Sequence, residues 1–229
     1  MDYQVVVLAA GQGRRMGTGG NKVLLDLAGD PVIIHTLRVF ETDPSCTGIV
    51  LVIRKDEREQ FLNLIEGYHL KKVRKFVEGG KERQESVRYG LAAIETDQKS
   101  TVLIHDGARP FVTRQGITRV AEAAAEYGAA LLAVPVKDTI KEATHFSVKR
   151  TLERKSLWAA QTPQAFRLSV IRRAHQESVE THFVGTDDAS LVEQMGVPVK
   201  IVEGSYRNIK LTTPEDLVIA QIFLEREEE

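Results

Sequence analysis

The stretch Val5-Val6-Val7-Leu8-Ala9-Ala10 breaks into Gly11-Gln12-Gly13, runs on through Arg14 and Arg15, and is followed a few residues later by Lys22. An apolar run of this kind has no polar alternation and therefore no wet face, so it reads as a strand covered on both sides, the hallmark of a parallel sheet. The glycines after it lack a Cβ, which lets their N–H groups approach an anion closely. Arg14, Arg15 and Lys22 fall within nine residues with no acid among them, and this makes the loop a place for phosphate.

Two other readings of the loop are weaker. A dinucleotide-binding turn needs a third small residue where this chain has Met16, and an acid about 20 residues on to hold a ribose. The corresponding stretch, Pro31-Val32-Ile33-Ile34-His35-Thr36, carries no acid. An ordinary strand-to-helix turn with solvated arginines would leave three unopposed cations without a reason. Adjacent arginines suit a highly charged triphosphate.

Further apolar runs recur at Ile49 to Ile53, Val73 to Val77, Thr101 to His105, Ala129 to Val136 and Val197 to Val202, with helical patterns between them. The alternation predicts a mostly parallel, Rossmann-like α/β sheet with helices on both faces. Asp30-Pro31 reads as an N-cap and first turn, with Ile33, Leu37 and Phe40 on one helix face. Gln115 to Tyr127 reads as a second helix ended by Gly128, and Thr213-Pro214-Glu215-Asp216 opens the last one, whose tail Glu227 to Glu229 should fray. From Lys137 to Ala160 the chain is charged and thin in apolar residues, with β-like pieces around Thr139 to Lys141 and Val148 to Leu152. This segment is expected to be a protruding hairpin arm that leans on another subunit, because an isolated hairpin buries too little to hold itself.

The 229 residues suit one domain with that arm as an appendage. A formal net charge of −1 gives no global case for nucleic acid or an anionic membrane. No apolar run approaches the roughly 20 residues of a membrane span, and a single cysteine, Cys46, in a turn-like segment, excludes an internal disulfide; a cytoplasmic protein is expected. The six histidines show no metal-site spacing.

In open α/β sheets ligands bind beyond the carboxyl ends of the strands, so residues just after apolar runs carry the most weight. Besides the first loop, Glu78-Gly79-Gly80 leads into a helix; taken alone it reads as a simple capped turn, the other reading being that exposed backbone and Ser86 read the edge of a base. At Ile104-His105-Asp106-Gly107-Ala108-Arg109-Pro110, Asp106 is a hard oxygen ligand for nucleotide-bound Mg²⁺, and Arg109 can take a second phosphate bidentately. The other reading is an Asp106 to Arg109 ion pair bracing the loop. Lys210, near the start of the last helix, would supply a cation opposite these three sites.

Taken together, Leu8-Ala9-Ala10-Gly11-x-Gly13-x-Arg15-Met16 with Lys22, Gly79-Gly80-x-x-Arg83-x-x-Ser86-Val87, His105-Asp106-x-Ala108-Arg109-Pro110, Pro135-Val136-x-Asp138-Thr139, Arg154-x-x-Leu157-Trp158, Gln161-Thr162-Pro163-Gln164 and Asn208-Ile209-Lys210 resemble the 2-C-methyl-D-erythritol 4-phosphate cytidylyltransferases. The resemblance spans almost the whole chain. It implies transfer of CMP from CTP to methylerythritol phosphate with release of pyrophosphate, in the non-mevalonate isoprenoid pathway, with Mg²⁺ or another divalent cation. Arg15 and Lys22 would stabilise the reacting triphosphate, and Arg154 and Lys210 would position the attacking phosphate. Ala10, Gly11, Gly13, Gly80 and Ser86 would bind the nucleotide, and Asp106, Ala108, Arg109, Thr139 and Thr162 would line the nucleotide and substrate sides. The resemblance also implies a homodimer joined through the arm, with Arg154 and Thr139 serving the partner's site. One departure is Asn21-Lys22-Val23, where the family commonly has Pro-Lys-Gln, which predicts a freer loop before CTP binds. A ribitol 5-phosphate cytidylyltransferase is similar over the same loops, though Arg154-x-x-Leu157-Trp158-Ala159-Ala160 and the paired Arg14-Arg15 favour the methylerythritol enzyme. A nucleotide-binding module without turnover would not need every one of these cations.

Overall fold

The structure, a computed structural model, describes residues 1–11 and 20–226. Gly13, Arg14, Arg15 and Met16 of the first loop, and the acidic tail expected to fray, lie outside the described residues.

The first apolar run forms β1 (Tyr3–Leu8), after which the short strands β2 (Asp26–Leu27) and β3 (Asp30–Pro31) lead into α1 (Val32–Thr42). Then follow β4 (Cys46–Ile53), α2 (Arg58–Gly67), β5 (Val73–Glu78), α3 (Arg83–Ala92), β6 (Thr101–Asp106), α4 (Arg114–Tyr127) and β7 (Ala129–Pro135). The rest is β8 (Lys141–Thr144), β9 (Ser147–Thr151), β10 (Trp158–Arg167), α5 (Leu168–Glu180), α6 (Asp188–Gln194), β11 (Lys200–Glu203) and α7 (Pro214–Glu225).

Among the described residues the main sheet has seven strands in the order β11-β7-β10-β6-β1-β4-β5. All pairings are parallel except those of β10, which runs antiparallel between β6 and β7. The two-residue period of the strands divides their side chains between two cores. Val5 and Val7 of β1, Ile49, Leu51 and Ile53 of β4, and Leu103 of β6 meet Leu37 and Phe40 of α1, Phe61 of α2 and Val120 of α4. Val6, Val50, Val52, Val102 and Ile104 face the other way, onto Val87 and Leu91 of α3, Ile171 of α5 and Leu191 of α6. This is the doubly covered sheet that the unbroken apolar runs require.

Of the three helices with ends read from the sequence, two have the boundaries their local chemistry predicts and one does not. Gly128 takes a left-handed φ of +92° at the end of α4, and Thr113 caps its start by accepting from Gly116 N. In α7, Asp216 Oδ2 accepts from the N–H groups of Thr212 at 2.7 Å and Thr213 at 2.9 Å, holding the first turn closed. Asp30 does not cap α1: Asp30-Pro31 pairs with Asp26-Leu27 as a short ribbon, and the Asp30 carboxylate is drawn to Arg38 instead. Cys46 is not in a turn but opens β4, where it is buried as a free thiol.

The hairpin in the charged segment is present, with β8 and β9 antiparallel and His145 and Phe146 both at positive φ in the turn between them. Trp158, Ala159 and Ala160, however, pair with Pro135, Val134 and Ala133, so they belong to the main sheet. The sequence reading contained no strand for 158–167, although β10 lies in the middle of the sheet and carries the fully buried Phe166. Phe166→Ala is expected to cost about 3–5 kcal/mol in urea unfolding, the cost of emptying a large core site. A loss under about 1 kcal/mol would show that this strand does not support the fold.

Candidate active site

The sheet opens at the carboxyl ends of β1, β5 and β6 into a cavity of about 400 Å³ lined by Leu8, Ala10, Gly11, Lys22, Gly80 to Arg83, Ser86, Asp106, Ala108 and Lys210. A second cavity of about 280 Å³, lined by Arg109, Gln161, Thr162, Gln164 and Thr186 among others, shares Arg83, Asp106 and Lys210 with the first. The structure thus brings Ala10, Gly11, Lys22, Gly80, Ser86, Asp106, Ala108 and Lys210 together in one cavity, and Arg109 and Thr162 into its neighbour. Arg154 and Thr139 are exposed on the arm and line neither. Gly13 and Arg15 fall outside the described residues.

Close backbone approaches set these loops. Gly107 N donates to Leu8 O at 2.9 Å, continuing the β1–β6 ladder past its end, and a Cβ on Gly107 would sit 2.8 Å from that same carbonyl. Likewise a Cβ on Gly79 would lie 2.6 Å from the Ala10 Cβ, so glycine allows the β5 loop to close against the β1 loop. Gly80 N then donates to Ser86 Oγ at 3.0 Å, and that hydroxyl donates to Glu82 O at 3.1 Å. Lys22 sits in a short 3-10 turn whose preceding residue, Asn21, is buried and donates from Nδ2 to Ala9 O and, at 2.8 Å, to Glu57 Oε2. Most of the freer loop expected from the missing proline lies outside the described residues, but at its Lys22 end Asn21 supplies the anchor.

Asp106 is the electrostatic centre. Among the described residues three cations face it: Lys210 Nζ at 2.7 Å and Arg109 Nε at 3.8 Å from Oδ2, and Arg83 Nε at 3.5 Å from Oδ1. Burial alone would raise the Asp106 carboxyl, but Lys210, Arg83 and Arg109 outweigh it and hold the group ionised, well below the usual carboxylate range. The Asp106 to Arg109 pairing is therefore the long contact and Lys210 the close one. Arg109 is tied mainly elsewhere, with Nη1 donating to Asn208 O at 2.7 Å, while Asn208 Nδ2 donates to Thr162 O at 2.9 Å.

A hydrogen-bonded chain runs beneath Asp106. Asp106 N donates to Thr162 Oγ1 at 3.0 Å, Thr162 Oγ1 lies 3.2 Å from His105 Nδ1, and His105 Nε2 lies 3.1 Å from Arg109 O. A carbonyl only accepts, so Nε2 carries the proton and Nδ1 accepts from the Thr162 hydroxyl. Thr162 thus spends its hydroxyl on shaping the loop between β6 and the cavity. The sequence reading gave no role to His105, Asn208 or Arg83, because each acts through side-chain partners 23 to 105 positions away or through backbone carbonyls, which no local motif encodes.

Burial, partly offset by the hydrogen bond to Arg109 O, lowers the His105 pKa from 6.5 to about 4, so the folded protein holds this ring neutral. The unfolded chain then takes up the proton first as pH falls, so the stability from neutral His105 is complete above pH 6.5 and is lost toward pH 4. The expected loss across that window is about 3 kcal/mol in urea unfolding, and it should flatten in His105→Asn. An equal pH slope in both proteins would remove His105 as its source.

The family model for 2-C-methyl-D-erythritol 4-phosphate cytidylyltransferase matches residues 3–226. A protein of that name from Geobacillus thermodenitrificans is 56% identical over 224 residues, covering 98% of this chain and 97% of the relative. Among solved structures, 4-diphosphocytidyl-2C-methyl-D-erythritol synthase from Anaerococcus prevotii superposes with a TM-score of 0.86 at 31% identity, covering 98% of this chain and 96% of that one. The 2-C-methyl-D-erythritol 4-phosphate cytidylyltransferase of Thermus thermophilus does so with a TM-score of 0.81 at 32% identity, covering 98% and 100%. These matches, end to end over a chain whose glycine loops and cations converge on one cavity, show that it belongs to the 2-C-methyl-D-erythritol 4-phosphate cytidylyltransferase family.

Proposed function

We propose that the two joined cavities hold the two substrates of the family's reaction side by side, CTP in the larger and 2-C-methyl-D-erythritol 4-phosphate in the smaller. The enzyme is a cytidylyltransferase that makes 4-diphosphocytidyl-2-C-methyl-D-erythritol for isoprenoid synthesis. A phosphate oxygen of the acceptor bonds to the α-phosphorus of CTP while the bond from that phosphorus to the bridging oxygen breaks, and pyrophosphate leaves. Two polyanions must be brought together, so the protein's task is positioning and charge neutralisation rather than covalent chemistry. The observation that carries this reading is the sharing of Asp106, Arg83 and Lys210 by both cavities, which supplies cations at the seam where donor and acceptor phosphates would meet.

In this reading Lys22 neutralises the triphosphate together with Arg15, and the backbone of Ala10, Gly11 and Gly13 cradles it. Gly80 and Ser86 read the cytosine edge. Asp106, Ala108, Arg109 and Thr162 frame the join, and Lys210 draws in the acceptor phosphate. The residues also fit a divalent cation: Asp106 is ionised and lines the CTP cavity. A single carboxylate suits Mg²⁺, which is commonly held by one or two carboxylates plus substrate phosphates. Asp106 would hold Mg²⁺, or another divalent cation in its place, which supplies further neutralisation of phosphoryl charge when bound.

The arm supports a homodimer. Every residue of β9 is exposed, Phe146 and Val148 present most of their apolar surface to solvent, and Ile140 and Trp158 each leave over a third of theirs uncovered. In a pair of chains the arm covers these groups, and Arg154 and Thr139 complete the partner's acceptor site. Phosphorylated substrates do not cross membranes unaided, which favours a cytoplasmic setting, and no helix among the described residues is long and apolar enough to span a membrane.

Pyrophosphate release with CTP and Mg²⁺ is expected with methylerythritol 4-phosphate and not with ribitol 5-phosphate; release with ribitol phosphate alone would overturn the acceptor assignment. A fixed donor aimed at developing charge is worth roughly 3–4 kcal/mol in a closed site, so Lys22→Ala should lower turnover by about two to three orders of magnitude. Turnover within tenfold of wild type would exclude that role. Arg154→Ala should raise the KM for the sugar phosphate more than that for CTP. Mixing Arg154→Ala with Lys22→Ala subunits should restore part of the activity, since half of the sites in a mixed dimer would then be intact.

A further inference from the structure

Asp188 is the first residue of α6 and only 1% exposed. Its Oδ2 lies 2.8 Å from Arg83 Nη1, and its Oδ1 lies 3.4 Å from Nε2 of His175, a residue of α5 that is 2% exposed. A carboxylate taken so far out of water needs a cation, and such a pair adds little net stability compared with apolar packing. Its consequence is therefore geometric. Arg83 opens α3 on a long side chain that would otherwise sample many rotamers. With one end of its guanidinium held by Asp188, its Nε is left 3.5 Å from Asp106 Oδ1, and Arg83 lines both cavities.

We propose that Asp188 is a positioning residue for the transfer reaction, acting through Arg83 to fix one guanidinium at the seam between the two cavities and against Asp106. The proposal rests on the reading of those cavities as donor and acceptor sites. The planar fork of Arg83 can hold two carboxylates in different directions at once, which an ammonium on a flexible stem does less well. Asp188 touches neither substrate site. Its effect travels along Asp188, Arg83 and Asp106, from α6 to the end of β6, with Lys210 completing the line on the far side of Asp106.

The test is a double-mutant cycle on the whole enzyme, assayed by pyrophosphate release with CTP, methylerythritol 4-phosphate and Mg²⁺. Asp188→Asn is expected to lower kcat by tenfold to a hundredfold while the KM for CTP stays within threefold. The variant combining Asp188→Asn with Arg83→Gln should be no slower than Arg83→Gln alone, because Asp188 acts through Arg83. Independent, multiplying losses, or an Asp188→Asn enzyme at wild-type kcat, would overturn the proposal. Should Asp188→Asn fail to fold by thermal melting, Arg83→Lys decides. It keeps the charge and loses the two-way fork, and wild-type turnover in it would overturn the proposal in the same way. Lys22→Ala runs alongside: if that variant keeps its turnover, the triphosphate role given to the larger cavity's Lys22 fails and with it the basis of this proposal, whereas a disabled Lys22→Ala beside a fully active Asp188→Asn defeats only the role of Asp188.

Discussion

The Asp106 to Lys210 ion pair is the contact around which this protein is organised. A site for a triphosphate must gather cations before its ligand arrives, and like charges 4 Å apart repel by about 4 kcal/mol at the effective dielectric of a protein surface. For Arg83, Arg109 and Lys210 that cost is offset by the ionised Asp106 lying among them and by Asp188, which takes the other end of Arg83. Asp106 is in turn held in place by its own backbone N–H, which reaches the Thr162 hydroxyl, and through Thr162 by the neutral ring of His105.

That frame explains why β10 runs against the direction of its neighbours. Inserted antiparallel between β6 and β7, it carries Gln161 and Thr162 past the carboxyl end of β6. There Asn208 joins them, donating to both Thr162 O and Gln161 Oε1, and its own carbonyl takes the Arg109 guanidinium. The segment before α7 thereby reaches the cavity with Lys210 already aimed at Asp106. A parallel strand in that position would enter the cavity side at its end only, and could not pass its middle residues across the mouth of the site.

The sequence made the inside of the sheet legible because each apolar run repeats a physical demand, burial on two faces, that no other arrangement meets so simply. The double glycine after β5 was legible as exposed backbone, and a Cβ on Gly79 would indeed meet the Ala10 side chain at 2.6 Å; Gly107, whose Cβ would lie 2.8 Å from Leu8 O, drew no reading of its own. β10 escaped for the same reason in reverse. Its Gln161-Thr162-Pro163-Gln164 centre is polar because it serves the cavity, and a polar stretch with proline does not read as a central strand. Asp30 illustrates a second limit: Asp-Pro is a fair helix start in isolation, but pairing with Asp26-Leu27 and the pull of Arg38 used the same residues otherwise. Arg83 and Asp188 illustrate a third, because nothing local announces a pairing across 105 positions that exists only once α6 has folded against α3 and α5.

The strand order also bears on the arm. β7 runs parallel to β6 and β1, so its last residue points to the same side of the sheet as the glycine loops. The hairpin β8–β9 continues from β7 on that side and returns into β10, and Arg154 Nη1 donating to Lys137 O at 2.8 Å fastens its base. An arm that left from the opposite edge could meet another chain only through its scaffold. This one leaves from the side of the glycine loops, carries Phe146 fully exposed at its tip, and has almost no buried contact with its own chain. The same antiparallel insertion that brings Thr162 beneath Asp106 therefore also sets the direction in which the arm and Arg154 project, toward the side of the glycine loops.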